Sequence, residues 1–136
     1  MKSELLYIVE ENFVSKAVYI EQEIKIYSLK TEVDKIAKKH FISIESYYKL
    51  VRKQLNLKNK IPIRFSDSLL LFKLNSKSGQ YVINFYNLLK ICLEEKVKLI
   101  FTNGEVLEID VSQRVVKREL DKINDLITYL NGIKLW

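Results

Sequence analysis

Positively charged side chains are concentrated in one part of this 136-residue chain. Residues 30–60 carry nine basic and three acidic side chains, and the resulting charge of +6 equals the formal net charge of the whole chain. A local excess of this kind is typical of a protein that binds a polyanion. A solvated, lysine-rich helix face has the same composition, so charge and spacing alone leave both interpretations open.

The spacing of these basic residues favours contacts with a phosphate backbone. Lys49, Arg52 and Lys53 recur at the i, i+3 and i+4 spacing that places side chains on one side of a helix. An arginine fork and the hydroxyls of Tyr47 and Tyr48 suit phosphate oxygens, and arginine also enters a narrow minor groove. We therefore assign DNA contacts to seven residues, the last two of them peripheral: Lys49, Arg52, Lys53, Lys58, Lys60, Lys38 and Lys39.

Catalytic and metal chemistry have little support in the sequence. The one histidine, His40, lies in a lysine-rich segment, and the one cysteine, Cys92, lies in an apolar run where a free cysteine behaves as a small hydrophobe. We therefore predict no enzyme activity, no cofactor and no metal site. Glu4 interrupts the short N-terminal apolar run, which argues against a signal peptide. No run approaches the roughly 20 apolar residues of a membrane span. We expect a cytoplasmic protein without a membrane span.

The segment 96–112 predicts a β-hairpin around which the C-terminal half is organised. It contains two β-patterned runs joined by an Asn-Gly pair at 103–104, which is a strong hairpin signal. A two-residue loop would place Glu108 opposite Leu99 and mix acidic with apolar side chains on one face. A three-residue loop with a left-handed glycine predicts two apolar pairs instead: Leu99 with Leu107 and Val97 with Ile109.

The sequence predicts an amphipathic helix over about 113–131, directly after this hairpin. Ser112 can cap the helix through its hydroxyl group, and Asn131-Gly132 is a plausible stop. The apolar residues of the segment recur at helical spacing and form one stripe: Val116, Leu120, Ile123, Ile127 and Leu130. We expect this stripe to cover the apolar face of the hairpin.

The first half of the chain predicts two strands and two helices. Leu5–Val9 is the first strand, and Ala17–Tyr27 is a longer one that buries one set of alternating residues: Val18, Ile20, Ile24 and Ile26. Ser28 and Ser43 are the expected N-caps of the two helices, the second of which ends near Leu57. The first helix has an apolar stripe: Val33, Ile36, Ala37 and Phe41.

Three further strands are predicted between the second helix and the hairpin: Ile63–Phe65, Leu69–Leu74 and Tyr81–Asn84. The run Leu88–Leu93 is ambiguous between strand and helix. The whole pattern predicts a single α+β domain over 1–136, with antiparallel strands. Two helices are inserted at about 29–57, and a C-terminal helix packs on the sheet.

Three segments resemble the ComK family, the competence transcription factors of low-GC Gram-positive bacteria. Leu99–Ser112 resembles that family's Ile-Ile-Phe-x-Asn-Gly-x-x-Leu-x-Ile-x-Val-Ser pattern. Lys60–Ile63 resembles its Lys-x-Pro-Ile element, and Tyr81–Asn84 resembles its Trp-Ile-Asn element. The segments occur in the family's order, and the resemblance covers most of the chain from about Phe41 to Tyr129.

The resemblance implies an activator that binds AT-rich paired DNA boxes through the minor groove, acts as an oligomer and is controlled by an adaptor of a regulatory protease. The chain departs from the family pattern in three places. Tyr47-Tyr48 stands where many members carry Gly-Arg, the Pro-Thr after the aromatic strand is missing, and the sequence stops at Trp136 without the long family tail. Two alternatives stay open. One is a short paralogue that modulates a full-length activator by protein–protein interaction, and the other is a pleckstrin-like module that binds anionic lipid or protein.

Overall fold

Two antiparallel β-sheets and three α-helices make up residues 3–132, the part of the chain that the computed structural model describes. The elements of the N-terminal half are β1 Leu5–Glu11, β2 Val14–Tyr19, β3 Glu23–Lys25, α1 Leu29–Lys39 and α2 Ile44–Leu55. Those of the C-terminal half are β4 Ile63–Ser66, β5 Leu69–Asn75, β6 Gly79–Asn84, a 3-10 helix Phe85–Asn87, β7 Leu88–Leu93, β8 Val97–Phe101, β9 Val106–Ile109 and α3 Gln113–Gly132. The predicted α+β class is confirmed, and the ambiguous run before the hairpin is the strand β7.

The larger sheet has six strands in the order β3-β2-β1-β6-β5-β4, and the smaller sheet has three in the order β7-β8-β9. Strand β1 therefore pairs with its neighbour in sequence, β2, and with the distant β6. The buried side chain of Asn84 stabilises this junction. Its amide donates to the carbonyl oxygens of Leu5 and Ser68 at 3.0 Å, and its Oδ1 accepts from Leu70 N at 3.0 Å.

The larger sheet lies between two covering layers. Helices α1 and α2 pack on one face, where Ile8, Leu71 and Val82 are buried. The smaller sheet and α3 cover the opposite face, where Phe72 and Ile83 are buried. Because β1 and β5 bury side chains on both faces, their sequences are continuous apolar runs rather than alternating patterns.

The β8–β9 hairpin has the predicted register. The apolar pairs are Leu99 with Leu107 and Val97 with Ile109. Phe101 N donates to Glu105 O, and Gly104 N donates to Phe101 O, both at 2.9 Å. These bonds close a loop over residues 102–104 in which Gly104 has a φ of +89°. The predicted three-residue loop with a left-handed glycine is confirmed.

Helix α3 begins and ends close to the predicted residues. The Ser112 hydroxyl accepts from Val115 N at 3.2 Å and caps the helix as expected. Three apolar side chains of α3 are fully buried: Val116, Ile123 and Leu126. Leu126 was not part of the predicted stripe, and three residues that were part of it are half-buried: Leu120, Ile127 and Leu130. The acidic Glu119 is buried with only 1 % exposure, which the apolar pattern did not indicate.

The predicted single strand Ala17–Tyr27 is wrong. Strand β2 ends at Tyr19, whose N–H donates to Gln22 O at 2.8 Å across a tight turn, and the chain returns as the edge strand β3. Ile20 and Ile24 are consequently 37 % and 43 % exposed rather than buried. The apolar alternation in this segment belongs to two short strands at an uncovered sheet edge.

The apolar stripe of α1 also ends earlier than predicted. The helix stops at Lys39, and Phe41 lies beyond its end with a φ of +57° and 97 % exposure. Ile42 N donates to Ala37 O at 2.9 Å, and Phe41 N donates to Lys38 O at 3.1 Å. These two bonds form a Schellman motif, so Phe41 occupies the left-handed position where glycine is preferred.

Candidate nucleic-acid interface

The α2 basic face consists of Lys49, Arg52 and Lys53. Ser43 caps α2 by accepting a hydrogen bond from Ser46 N, as predicted, and the apolar side of the helix buries Val51. The three basic side chains are exposed on the other side of the helix. None of them forms an ion pair with a residue of the described range 3–132. Their charges are therefore available to an external anion.

Tyr48 holds the guanidinium group of Arg52. The Arg52 Cζ lies 5.5 Å from the centroid of the Tyr48 ring, which is within the range of a cation–π contact. Burial raises the pKa of Tyr48, and the positive charge of Arg52 opposes this rise. The Tyr48 hydroxyl therefore stays protonated at neutral pH. The cation–π contact of its ring restricts the conformations of the Arg52 side chain.

Tyr47, which we expected near the phosphates, has a structural role instead. Its hydroxyl donates to Pro62 O at 2.9 Å and accepts from Arg64 N at 3.4 Å. Burial raises the pKa of Tyr47 to about 12, although the hydrogen bond from Arg64 N opposes the rise. The hydroxyl thus joins α2 to the start of β4 and is not free to contact a phosphate, so that part of the expectation is wrong.

The basic groove lies between the α2–β4 loop and α3. Residues 56–60 form one wall, and α3 contributes the other through Arg118 and Lys122. The groove is open, with a volume of about 420 Å³. Lys58 on the loop is exposed and Lys60 is half-exposed. Two of the predicted residues therefore share a groove with cations that lie about 60 positions away in the sequence.

The contacts of Lys122 fix the shape of this groove. Its Nζ donates to Asn59 O at 2.8 Å and to the Oε2 of Glu119 at 3.0 Å. The Nε of Arg118 lies 3.7 Å from the same carboxylate oxygen, and the Arg118 side chain is 56 % exposed. Lys122 is therefore engaged in holding the loop against α3, and Arg118, Lys58 and Lys60 keep exposed charge along the groove.

Sequence reasoning missed the basic residues of α3. Arg114 and Lys117 line a shallow depression on the first turns of this helix, together with Arg118. Acidic residues at 119 and 121 balance part of their charge, so a charge count over the segment does not reveal them. The i, i+3, i+4 spacing of the three cations, opposite the buried Val116, was the available signal.

Lys38 and Lys39 lie apart from the basic groove. Both are exposed at the C-terminal end of α1. Helix α2 separates them from Lys58, and its 12 residues extend over about 18 Å. Lys39 lines a different depression, beside His40. A ligand has to span the length of α2 to contact both groups.

Histidine and cysteine have local roles in the fold. The Nδ1 of His40 lies 3.0 Å from Ile36 O, and the imidazole packs 5.6 Å from the ring of Phe65. Cys92 is half-buried on the edge strand β7. Within residues 3–132, no three His, Cys, Asp or Glu side chains are grouped as metal ligands. Among the helices of that same range, none has the length and apolar character needed to cross a membrane.

No protein-family model, curated protein sequence or solved structure matches this chain. The similarity to the competence activators therefore rests on the three sequence motifs. The basic groove and the α2 basic face are the structural features that bear on its function.

Proposed function

We propose that this protein is a DNA-binding regulator of transcription that holds duplex DNA against the basic groove and the α2 basic face. The observation that carries the proposal is the basic groove, where the α2–β4 loop and α3, which are far apart in the sequence, bring exposed cations together. The nearby carboxylate of Glu119 is buried and already bound by Lys122, so it does not compensate Lys58 or Lys60. Uncompensated cations along a groove attract a phosphate backbone and release its counterions.

A preference for AT-rich DNA is part of the proposal. Arg52 is exposed and restrained by the ring of Tyr48, and a restrained arginine suits the narrow minor groove of an A-tract. The resemblance to the competence activators supports the same preference. It also leads us to include activation of transcription in the cytoplasm, self-association into an oligomer, and control by an adaptor of a regulatory protease.

Salt-dependent DNA binding tests the groove. Fluorescence anisotropy with a labelled duplex at several salt concentrations gives the slope of log K against log salt, which is near −0.9 for each phosphate contact. The double variant Lys58→Ala/Arg118→Ala removes one exposed cation from each wall and should flatten this slope by about 2. Lys77→Ala/Lys90→Ala is the matched control, because both lysines are exposed on other elements and it should leave the slope unchanged.

Arg52 tests the sequence preference. Arg52→Ala should weaken binding to an AT-rich duplex more than to a mixed-sequence duplex, because minor-groove width depends on sequence. Lys49→Ala/Lys53→Ala should weaken binding to both duplexes equally. If the groove variant, Arg52→Ala and Lys49→Ala/Lys53→Ala all bind as the unaltered protein does, DNA is not the ligand of this surface.

An anionic membrane surface is the second candidate, because two exposed apolar side chains lie beside the cations. Leu50 is 51 % exposed beside Lys49 and one turn before Lys53, and Phe41 is 97 % exposed close to Lys39. Apolar side chains next to basic ones suit a lipid interface. In vesicle flotation with phosphatidylserine, Phe41→Ser/Leu50→Ser should then abolish binding. The same variant should leave DNA binding intact if DNA is the ligand.

A further inference from the structure

Helices α1 and α2 and the face of the larger sheet enclose a cavity that is distinct from the basic groove. Its volume is about 390 Å³, at the lower end of the roughly 300–1,000 Å³ of small-molecule sites. The walls of the cavity are apolar side chains from both helices and from strands β4, β5 and β6: Leu29, Val33, Ile44, Ile63, Leu71 and Val82. Such walls suit an apolar ligand body.

The mouth of the cavity is polar because the helix-facing side of the sheet changes character there. Side chains alternate along a strand, so every second residue faces the helices. Along three neighbouring strands, the helix-facing side chain is apolar at one position and polar two residues nearer the mouth: Leu71 then Lys73, Val82 then Gln80, and Ile8 then Glu10. The cavity therefore has an apolar interior and a hydrophilic rim, and it favours an amphipathic ligand.

The charges at the mouth indicate the sign of the ligand's polar group. The Oε1 of Glu10 accepts from Ser15 Oγ at 2.7 Å and from Leu29 N at 3.1 Å. This protein carboxylate already occupies the N-terminus of α1. Lys30 and Lys73 are exposed and form no ion pair with any residue in the range 3–132. Two lysines are thus available to bind an anionic group.

Tyr48 and Asp34 complete the mouth on the side of α2. The Tyr48 hydroxyl forms no hydrogen bond with another described residue, so it can donate to a ligand. Asp34 is close enough for its negative charge to raise the pKa of Tyr48, although burial contributes more to the rise. Asp34 follows Lys30 by one turn of α1 and forms no ion pair with it, so a ligand anion is best placed beyond Lys30, on the side of Lys73.

We propose that this cavity binds a small amphipathic carboxylate, with its apolar body between the helices and the sheet and its carboxylate between Lys30 and Lys73. This ligand site goes beyond DNA binding and does not depend on it. None of the cavity residues lines the basic groove. The cavity does share helix α2 with the DNA surface, and Tyr48 contributes to both.

Three probes of equal chain length test the charge assignment: octanoate, octylamine and octanol. Titration without DNA, followed by methyl NMR, should show octanoate binding at least about tenfold more tightly than octylamine, because a like charge at the mouth is repelled. The methyl groups that shift should be those of the cavity walls, among them Val33, Ile44 and Leu71. Lys30→Gln/Lys73→Gln should weaken octanoate binding about tenfold and leave octanol binding unchanged.

Lys77→Gln is the control, because Lys77 is exposed in the β5–β6 turn and does not line the cavity. This variant should bind octanoate as the unaltered protein does. Equal affinity for octanoate and octylamine would overturn the assignment of a carboxylate. Absence of binding by octanoate and octanol, or methyl shifts confined to other parts of the molecule, would overturn the ligand site. Because DNA is absent from these titrations, their result is independent of the DNA proposal.

Discussion

Replacing each of the three glycines by alanine separates backbone strain from steric contact in one fold. Gly104 has a φ of +89°, and no heavy atom lies within 4 Å of the position that its Cβ would take. Gly132 has equally open space around it, without a left-handed φ. At Gly79, a Cβ would lie 2.6 Å from the Cβ of Glu11 and 2.7 Å from the carbonyl oxygen of Glu10.

The three replacements should therefore differ in sign and size. A left-handed alanine costs about 1–2 kcal/mol, which the lower entropy of the unfolded chain offsets by about 0.4–1 kcal/mol. We expect Gly104→Ala to destabilise the fold by roughly 1 kcal/mol. Gly132→Ala should be neutral or stabilising by up to about 1 kcal/mol. Gly79→Ala should cost about 1–3 kcal/mol, because the backbone of β1 has to move away from β6.

Urea unfolding of the three variants measures these differences as shifts of the midpoint. The slope m, about 1–3 kcal/mol per molar urea for a small protein, should be the same for all of them. Gly132→Ala is the matched control for Gly104→Ala, since the added methyl group is exposed in both. If these two variants have the same midpoint, the left-handed conformation of Gly104 is not what the loop requires.

Three further outcomes are expected. Leu126→Ala should lower the free energy of unfolding by about 2–5 kcal/mol, because Leu126 is fully buried. Leu120→Ala should lower it less, because Leu120 is half-buried. Equal losses of the two variants in urea unfolding would contradict the packing of α3. Phe41→Gly should raise the thermal midpoint, with a gain of about 1 kcal/mol, because Phe41 is left-handed and exposed; a lower midpoint would contradict this. Burial raises the pKa of Tyr7 and Tyr47 to about 12 from an ordinary value of 10.0. The fold therefore favours the neutral phenols, so their stabilisation is complete below pH 10 and is lost as the pH rises toward 12. Tyr7→Phe and Tyr47→Phe should each make the urea midpoint less dependent on pH in this window, and an unchanged dependence in both would refute the reasoning.

The features that the sequence predicted correctly depend on residues that are close together in the chain. The loop of the β8–β9 hairpin follows from an Asn-Gly pair and from the parity of the apolar residues beside it. Ser28, Ser43 and Ser112 each accept a hydrogen bond from a backbone N–H three residues later, so four residues suffice to recognise each cap. The α+β class follows from these local elements.

The features that were missed depend on contacts between distant residues or on turns without typical turn residues. The turn after β2 is Ile20-Glu21-Gln22, which contains no Gly, Pro, Asn or Asp. The burial of Glu119 becomes understandable only when Lys122 and the loop at Asn59 are seen beside it. The groove shared by Lys58 and Arg118 likewise requires the packing of α3 against that loop.

The position of β1 between β2 and β6 has a consequence for folding during synthesis. The hydrogen bond from Asn84 to Leu5 O joins residues that are 79 positions apart. A ribosome that adds about 5–20 residues per second completes β6 several seconds after β1. During that interval β2 is the only strand that pairs with β1, and the edge of β1 and the face that the smaller sheet and α3 later cover are open to other nascent chains. The yield of folded protein should therefore fall when translation is slowed or when nascent chains are crowded, and chaperones that shield this strand should restore it.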